Sequence, residues 1–279
     1  MMSGLKIILI LIFIFTLACS KKEKQISVIK EKDLNSQLYE AYSEGMEAFE
    51  KGDVLFAAKK FNEAEILYPQ SEWAPKSSLM AAYSYYVQDY YADAIAELER
   101  FIKVYSSHKN LDYAYYLLAV CYYEQIADEK KDLQSLLQAK KYFILIKNEY
   151  QNSEYALDAD FKIDLINDII ASKEIYLGRY YLDKKKWIAA INRFRTVVDE
   201  YDTTIYAEEA LHRLVEVHYF LGLIDEAEKY AKLLGYNYQS SRWYEQSYSL
   251  FDKTYEIRNR EIKKDKDNKL LKRFKSIFN

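Results

Sequence analysis

Tyr68-Pro69-Gln70-Ser71-Glu72-Trp73-Ala74 has three echoes further along the chain. They are Tyr150-Gln151-Asn152-Ser153-Glu154-Tyr155-Ala156, Tyr201-Asp202-Thr203-Thr204-Ile205-Tyr206-Ala207 and Tyr238-Gln239-Ser240-Ser241-Arg242-Trp243-Tyr244. Each opens on Tyr, has Ser or Thr three residues later, and an aromatic two residues after that. A Ser or Thr so placed suits a helix N-cap, because its oxygen accepts from a backbone N–H that the first helical turn leaves unpaired. The aromatic that follows is positioned to pack over the junction. Four copies mark a recurring connector between recurring structural units.

Between the connectors, small residues return at a fixed lag. Gly45, Ala82 and Ala119 are 37 apart, as are Gly178 and Val215; Ala57 and Ala94, then Ala190 and Ala227, keep the same spacing. Ala139 arrives late by eight, which places an insertion near 124–138. A lag of this size is that of stacked helical hairpins. Small residues belong where two antiparallel helices cross closely, since a larger side chain there would cost about 1–3 kcal/mol. Large residues follow four and seven positions on: Phe61 and Ala64, Leu98 and Phe101, Phe143 and Ile146, Phe194 and Val197. The order small, small, aromatic, small, with Pro69 after a helix end, matches the tetratricopeptide pattern. The expected fold is all-α: a tetratricopeptide superhelix of about five hairpins, at 34–69, 71–106, 108–151, 155–202 and 206–239.

Composition agrees with this reading. Of 279 residues, 50% are hydrophobic and only 6 are Gly and 2 Pro, too few breakers for a β-sandwich or a Gly-rich nucleotide fold. Two Cys and 3 His leave little for a disulfide scaffold, a metal site or acid–base chemistry. No His-x-x-x-His pair, phosphate loop or Gly-x-Ser-x-Gly elbow occurs. A net charge of −3 argues against a nucleic-acid binder. The charge is uneven, however. From Asp252 to Asn279, ten Lys/Arg face five Asp/Glu, and within that stretch Leu270, Leu271, Phe274, Ile277 and Phe278 share one helical face. This basic amphipathic tail suits an anionic membrane surface, a partner, or a cap on the last repeat.

The amino terminus reads as an address. Lys6 precedes nine apolar residues, Ile7 to Phe15, which as a helix span roughly 14 Å, half a bilayer core, so this is a signal-peptide core and not a membrane span. Thr16-Leu17-Ala18-Cys19 then resembles a bacterial lipobox, with Leu one place later than usual. The resemblance implies cleavage before Cys19 and covalent diacylglycerol plus a fatty acyl chain on it, enough for stable anchoring; no other cofactor is expected. The expected domains are therefore 1–18, a lipoprotein signal peptide; 19–33, a lipid-anchored flexible tether; 34–244, five repeats; and 245–279, a capping helix and the basic tail.

In tetratricopeptide arrays the first helix of each hairpin lines the concave face through a stripe of four positions spaced 3, 4 and 3. Here the first three repeats place Tyr39, Tyr42, Met46 and Phe49; Lys76, Leu79, Tyr83 and Tyr86; and Tyr113, Tyr116, Val120 and Tyr123 on it. Eight of these twelve are aromatic, against the 16% of the whole chain, so an adhesive binding groove is expected there. Packing of these rings against neighbouring helices is the other reading. In the fourth and fifth repeats the stripe is Ser172, Ile175, Arg179 and Leu182, then Glu209, His212, Glu216 and Tyr219, and the aromatic wall stops. Cys121 is expected to be a buried, inert thiol.

The array, the lipobox and the Tyr-Pro-x-Ser-x-aromatic-Ala connectors together resemble the BamD family of outer-membrane assembly lipoproteins. The likeness rests on Arg100-Phe101-Ile102, the run His108 to Tyr116, Gly178-Arg179-Tyr180-Tyr181, Trp187-Ile188-Ala189-Ala190-Ile191-Asn192-Arg193-Phe194 and Glu209-Ala210-Leu211, and runs from about Leu34 to Tyr244. It implies a binding protein, not an enzyme, held by its lipid on the periplasmic face of the outer membrane. Carboxyl-terminal repeats would dock on a POTRA domain of the barrel-inserting protein, and amino-terminal repeats would receive unfolded outer-membrane proteins. It carries a partner-binding role onto Arg193, with Asn192 and Arg179. A different periplasmic tetratricopeptide lipoprotein, a cell-envelope coordinator or secretion pilotin, is the alternative.

Overall fold

The repeats become eleven helices in a computed structural model that describes residues 33–125 and 132–252. They are α1 (Leu34–Glu50), α2 (Val54–Leu67), α3 (Trp73–Val87), α4 (Tyr91–Val104), α5 (Leu111–Glu124), α6 (Gln134–Glu149), α7 (Tyr155–Asp183), α8 (Trp187–Glu200), α9 (Ala207–Phe220), α10 (Ile224–Asn237) and α11 (Arg242–Phe251). All regular structure among the described residues is helical, and α1/α2 through α9/α10 form five antiparallel hairpins stacked in series. No described helix is long and apolar enough to cross a membrane. The signal core, Cys19, most of the expected tether, and the basic tail from Lys253 onward lie outside the described residues, as does part of the insertion in the third repeat.

The small residues sit where the spacing puts them. Ala57, Ala82, Ala94, Ala119, Ala139, Ala190, Val215 and Ala227 are fully buried, and so are Phe61, Phe101, Phe143 and Phe194. Among the described residues the core is a series of apolar clusters along the stack, several of them shared between neighbouring hairpins, and not one central body. Among the described glycines, Gly178 in the fourth hairpin has the closest neighbour. A Cβ added to Gly178 would lie 2.4 Å from Cε1 of Phe194, so only glycine lets α7 and α8 approach this far.

Four hairpin turns, 51–53, 88–90, 184–186 and 221–223, share one geometry. The middle residue is left-handed (Gly52 φ 82°, Asp89 61°, Lys185 57°, Gly222 78°). The next residue's N–H reaches back to a carbonyl in the last turn: Asp53 to Ala48 at 2.9 Å, Tyr90 to Tyr85 at 3.0 Å, Lys186 to Tyr181 at 2.8 Å, Leu223 to His218 at 2.9 Å. These bonds satisfy carbonyls that a helix end leaves open.

The connectors form a turn at the other edge. Ser71, Ser153, Thr204 and Ser241 each donate their N–H to the carbonyl of the opening Tyr, and His108 does the same to Tyr105 in a fifth copy that lacks the Ser/Thr. Ser241 caps α11 by accepting from the Tyr244 N–H at 3.2 Å, and Ser71 accepts from Ala74 at 3.2 Å. Thr204 departs from the expected capping role. Its hydroxyl instead donates to the Tyr201 carbonyl at 2.7 Å, inside the turn. The connector aromatics dock backwards onto the preceding hairpin: Trp73 on Tyr42, Tyr155 on Tyr116, Trp243 on His212.

The fourth repeat differs from its neighbours. α7 is one unbroken helix of 29 residues. Its first half, through Ala159, Ile163, Ile166 and Ile170, covers the α5/α6 hairpin, and its second half, through Ala171 and Ile175, pairs with α8. The stripe positions counted from Gly178 therefore fall late on this helix, while the connector register puts Asp158 in the equivalent place.

Two substitutions test this account. Gly178→Ala is expected to lower stability by about 1–2 kcal/mol, ring overpacking outweighing the gain in helix propensity. Lys185→Gly is expected to raise it by about 0.5–1 kcal/mol by relieving a left-handed lysine. Urea midpoints at constant slope measure both.

Candidate binding surfaces

The first helices of successive hairpins touch one another: α3 meets α5, α5 meets α7, α7 meets α9 and α9 meets α11. Among the described residues the second helices of neighbouring hairpins make no comparable contacts. Closer spacing in the first-helix layer curves the array with that layer inside, so the predicted stripe lies along the inner wall.

The inner aromatics are neither wholly free nor wholly packed. Tyr39 is 63% exposed, while Tyr42, Phe49, Tyr83, Tyr86, Tyr113, Tyr116 and Tyr123 are half-buried. Trp73 lies edge-on to Tyr42 (5.0 Å between centroids) and Tyr39 (6.2 Å), bridging the first two hairpins. Phe49, Tyr83 and Tyr86 then form a chain at 5.8 and 6.0 Å. Tyr155 does for the third hairpin what Trp73 does for the first: it stacks on Tyr116 at 4.8 Å and lies 5.7 Å from Tyr113. The Tyr116 hydroxyl donates to Asp158 at 2.7 Å, and Lys162 sits 4.6 Å above the Tyr123 ring. Stripe positions that meet a connector aromatic thus hold a junction together with one side of the ring and present the other. Burial raises the pKa of the Tyr113 and Tyr116 phenols, for Tyr116 with help from Asp158, so both stay neutral across the physiological range. The wall offers apolar faces with hydroxyl tips, suited to adhesion in water.

Further along, charge replaces aromatics. Arg179 forks onto the buried Glu209 of the next hairpin, its Nε donating to Oε1 at 2.7 Å and its Nη2 to Oε2. Arg213 also reaches Glu209 (3.4 Å) and donates to Glu216 at 2.6 Å. Arg193 donates from Nη1 to both oxygens of Glu174, at 3.1 and 3.2 Å, and keeps 41% of its side chain exposed. The guanidinium to which the resemblance gives a partner-binding role is therefore already paired within the chain. Asn192 is exposed on α8. The three residues do not converge on one spot. Arg179 bridges two hairpins, and Arg193 stays within its own.

Sequence reasoning missed a second clasp of the Arg179 type. Glu65 on α2, 6% exposed, accepts from Arg100 Nη1 and Nη2 at 2.8 and 2.6 Å and from the Tyr105 hydroxyl at 2.7 Å. Arg100 also bonds Glu97 and the Ser78 hydroxyl, so α2, α3, α4 and the next connector are tied at one point. The only sequence signal was a charge at a position otherwise reserved for the core. Cys121 is fully buried, and burial pushes its thiol up to about 12, which makes it inert.

Residues 35–233 match the family model YfiO, described as outer membrane lipoprotein. A protein of Caulobacter vibrioides named outer membrane protein assembly factor BamD is 39% identical over 84% of this chain and 76% of its own length. The protein of that name from Rickettsia prowazekii is 41% identical over 78% of this chain and 87% of its own. The one from Neisseria meningitidis serogroup A is 29% identical over 72% and 79%.

The clasp carries its own test. Glu65→Gln keeps the shape and removes the charge, and it is expected to cost about 1–2 kcal/mol, less than a fully buried pair because Arg100 is partly exposed. In an Arg100→Leu background the same change is expected to cost measurably less, as a double-mutant cycle would read.

Proposed function

The chain belongs to the YfiO family of outer membrane lipoproteins, and from that premise we propose how its surfaces share the family's work. That work is outer membrane protein assembly, done by binding and without chemistry. Cys19, after removal of 1–18, carries diacylglycerol and a fatty acyl chain that hold the protein on the periplasmic face of the outer membrane. Residues 19–33 tether the folded body to that anchor. The inner wall of the first three hairpins receives unfolded outer-membrane proteins through Tyr39, Tyr42, Phe49, Tyr83, Tyr86, Tyr113, Tyr116 and Tyr123. The fourth and fifth hairpins dock a POTRA domain of the barrel-inserting protein, with Arg193 as principal contact and Asn192 and Arg179 as further contacts.

The change of character along the inner wall carries this reading. Half-exposed rings fill α1, α3 and α5, whereas on α7 and α9 the Arg179–Glu209 and Arg213–Glu216 pairs take their place, and Arg193–Glu174 joins α7 to the outer helix α8. Outer-membrane strands are rich in aromatics at their ends, which suits the first surface. The Arg193–Glu174 pair, partly open to solvent, suits the second, because a partner carboxylate can replace Glu174 on the same planar head.

Tyr39 and Tyr83 are cleaner probes than Tyr116, whose loss would also loosen the α5–α7 junction. Tyr39→Ala with Tyr83→Ala is expected to weaken binding of an unfolded barrel peptide about tenfold and leave POTRA binding unchanged. Arg193→Glu is expected to do the reverse. Equal loss of both activities in either variant, or loss of neither, refutes the division.

A further inference from the structure

The four shared-geometry hairpin turns lie along one edge of the stack, and apolar residues are exposed at several of them, Leu55 and Phe56 at the first included; at the fourth and fifth hairpins they meet across two tips and adjoin a lysine run. Ile188 is 77% and Phe220 70% exposed, with Leu221, Leu223 and Ile224 also exposed around them. Trp187 packs on Phe220 at 4.9 Å, so the two tips form one continuous apolar surface. It borders a cavity of about 610 Å³ that Trp187, Phe220 and Leu250 help to line. Beside it runs Lys184-Lys185-Lys186, all exposed, against Asp183 and Asp225. Exposed rings and branched aliphatics next to a lysine run match a bilayer interface, where apolar tips enter the acyl boundary and ammonium groups meet anionic headgroups.

The chain's end adds an independent observation. α11 finishes at this edge: Phe251 meets the Tyr219 ring edge-on at 5.3 Å, and Leu250 lines the same cavity. The sequence that follows, 253–279, is the basic stretch in which the spacing of Leu270, Leu271, Phe274, Ile277 and Phe278 would put them on one face of a helix. The basic–apolar tips and the point where the basic stretch begins therefore lie on one side of the molecule.

We propose that the tips of the fourth and fifth hairpins, Trp187-Ile188 and Phe220 to Ile224 with the lysines 184–186, are a second membrane contact that seats this end of the array on an anionic lipid surface. It rests on the lipid-anchor reading only for the protein's presence at a membrane. Two contacts, one through Cys19 and one through these tips, fix the orientation of the hairpin stack, whereas one flexible tether leaves it free to turn.

The test uses the full lipoprotein in phosphatidylglycerol-rich vesicles, carrying a nitroxide at Ile188→Cys or Phe220→Cys, with Ile205→Cys on the opposite edge as control. Power saturation should show the ratio of oxygen to nickel-chelate accessibility rising several-fold at 188 and 220 on transfer from detergent to vesicles, with 205 unchanged. Ser replacement of Lys184, Lys185 and Lys186 together should reduce that rise. Labels at 188 and 220 that stay open to nickel in the vesicle-bound protein overturn the contact and leave the anchor standing. Labels already shielded from both reagents in detergent overturn it in favour of cover by residues 253–279, or by a second copy if dilution uncovers them. Failure to recover the protein with the vesicles at all overturns the anchor and this contact together.

Discussion

Everything in this molecule depends on how closely two antiparallel helices can approach. In the hairpins a side chain of one to three carbons, or none, sits buried at the crossing, and at Gly45 with Phe61 and Gly178 with Phe194 a bare backbone meets a ring. That contact sets the tilt within a hairpin. Repeated in series, the tilt sets how the next hairpin sits on the last. The inner layer, where first helices touch, and the outer layer, where second helices spread, follow from one crossing made several times.

A solenoid is as firm as its joints, and here apolar clusters run across them, as Leu98 and Phe101 pack with Leu117 and Leu118. Two further devices reinforce them. Connector aromatics reach back onto the previous hairpin, as Trp73 does on Tyr42 and Tyr155 on Tyr116. Carboxylate–guanidinium clasps cross the joints, as Glu65 with Arg100 and Glu209 with Arg179. Both use residues that a solenoid would otherwise turn to solvent, so the binding surface and the joints draw on the same side chains. Tyr116 shows the overlap: it stacks, donates a hydrogen bond to Asp158, and still lies half-open on the inner wall.

The repeats were legible in the sequence because close helix crossing tolerates so few residues that its spacing survives as a plain pattern: Ala57 and Ala94, Ala190 and Ala227. The connector was legible because Tyr and Ser stand at fixed offsets, although Thr204 shows that the same residue type can serve the turn by donating instead of capping. The merging of two segments into α7 was not legible. A long helix differs from a shorter one only by lacking a strong breaker, and 155–183 contains no Pro. The clasps were hidden for another reason. A buried Glu65 or Glu209 reads as a surface charge until the guanidinium that neutralises it, tens of residues away, is placed beside it.

The length of α7 has a mechanical consequence. Its 29 residues make a rod of about 43 Å whose main-chain hydrogen bonds run without a break across the boundary between the ring-lined half and the charge-paired half. Elsewhere in the stack a turn separates neighbours and can flex. Here it cannot do so without breaking the helix itself. The molecule therefore has a splint at its middle: a push on either half is passed to the other as a rigid displacement, and bending is left to the joints nearer the two ends.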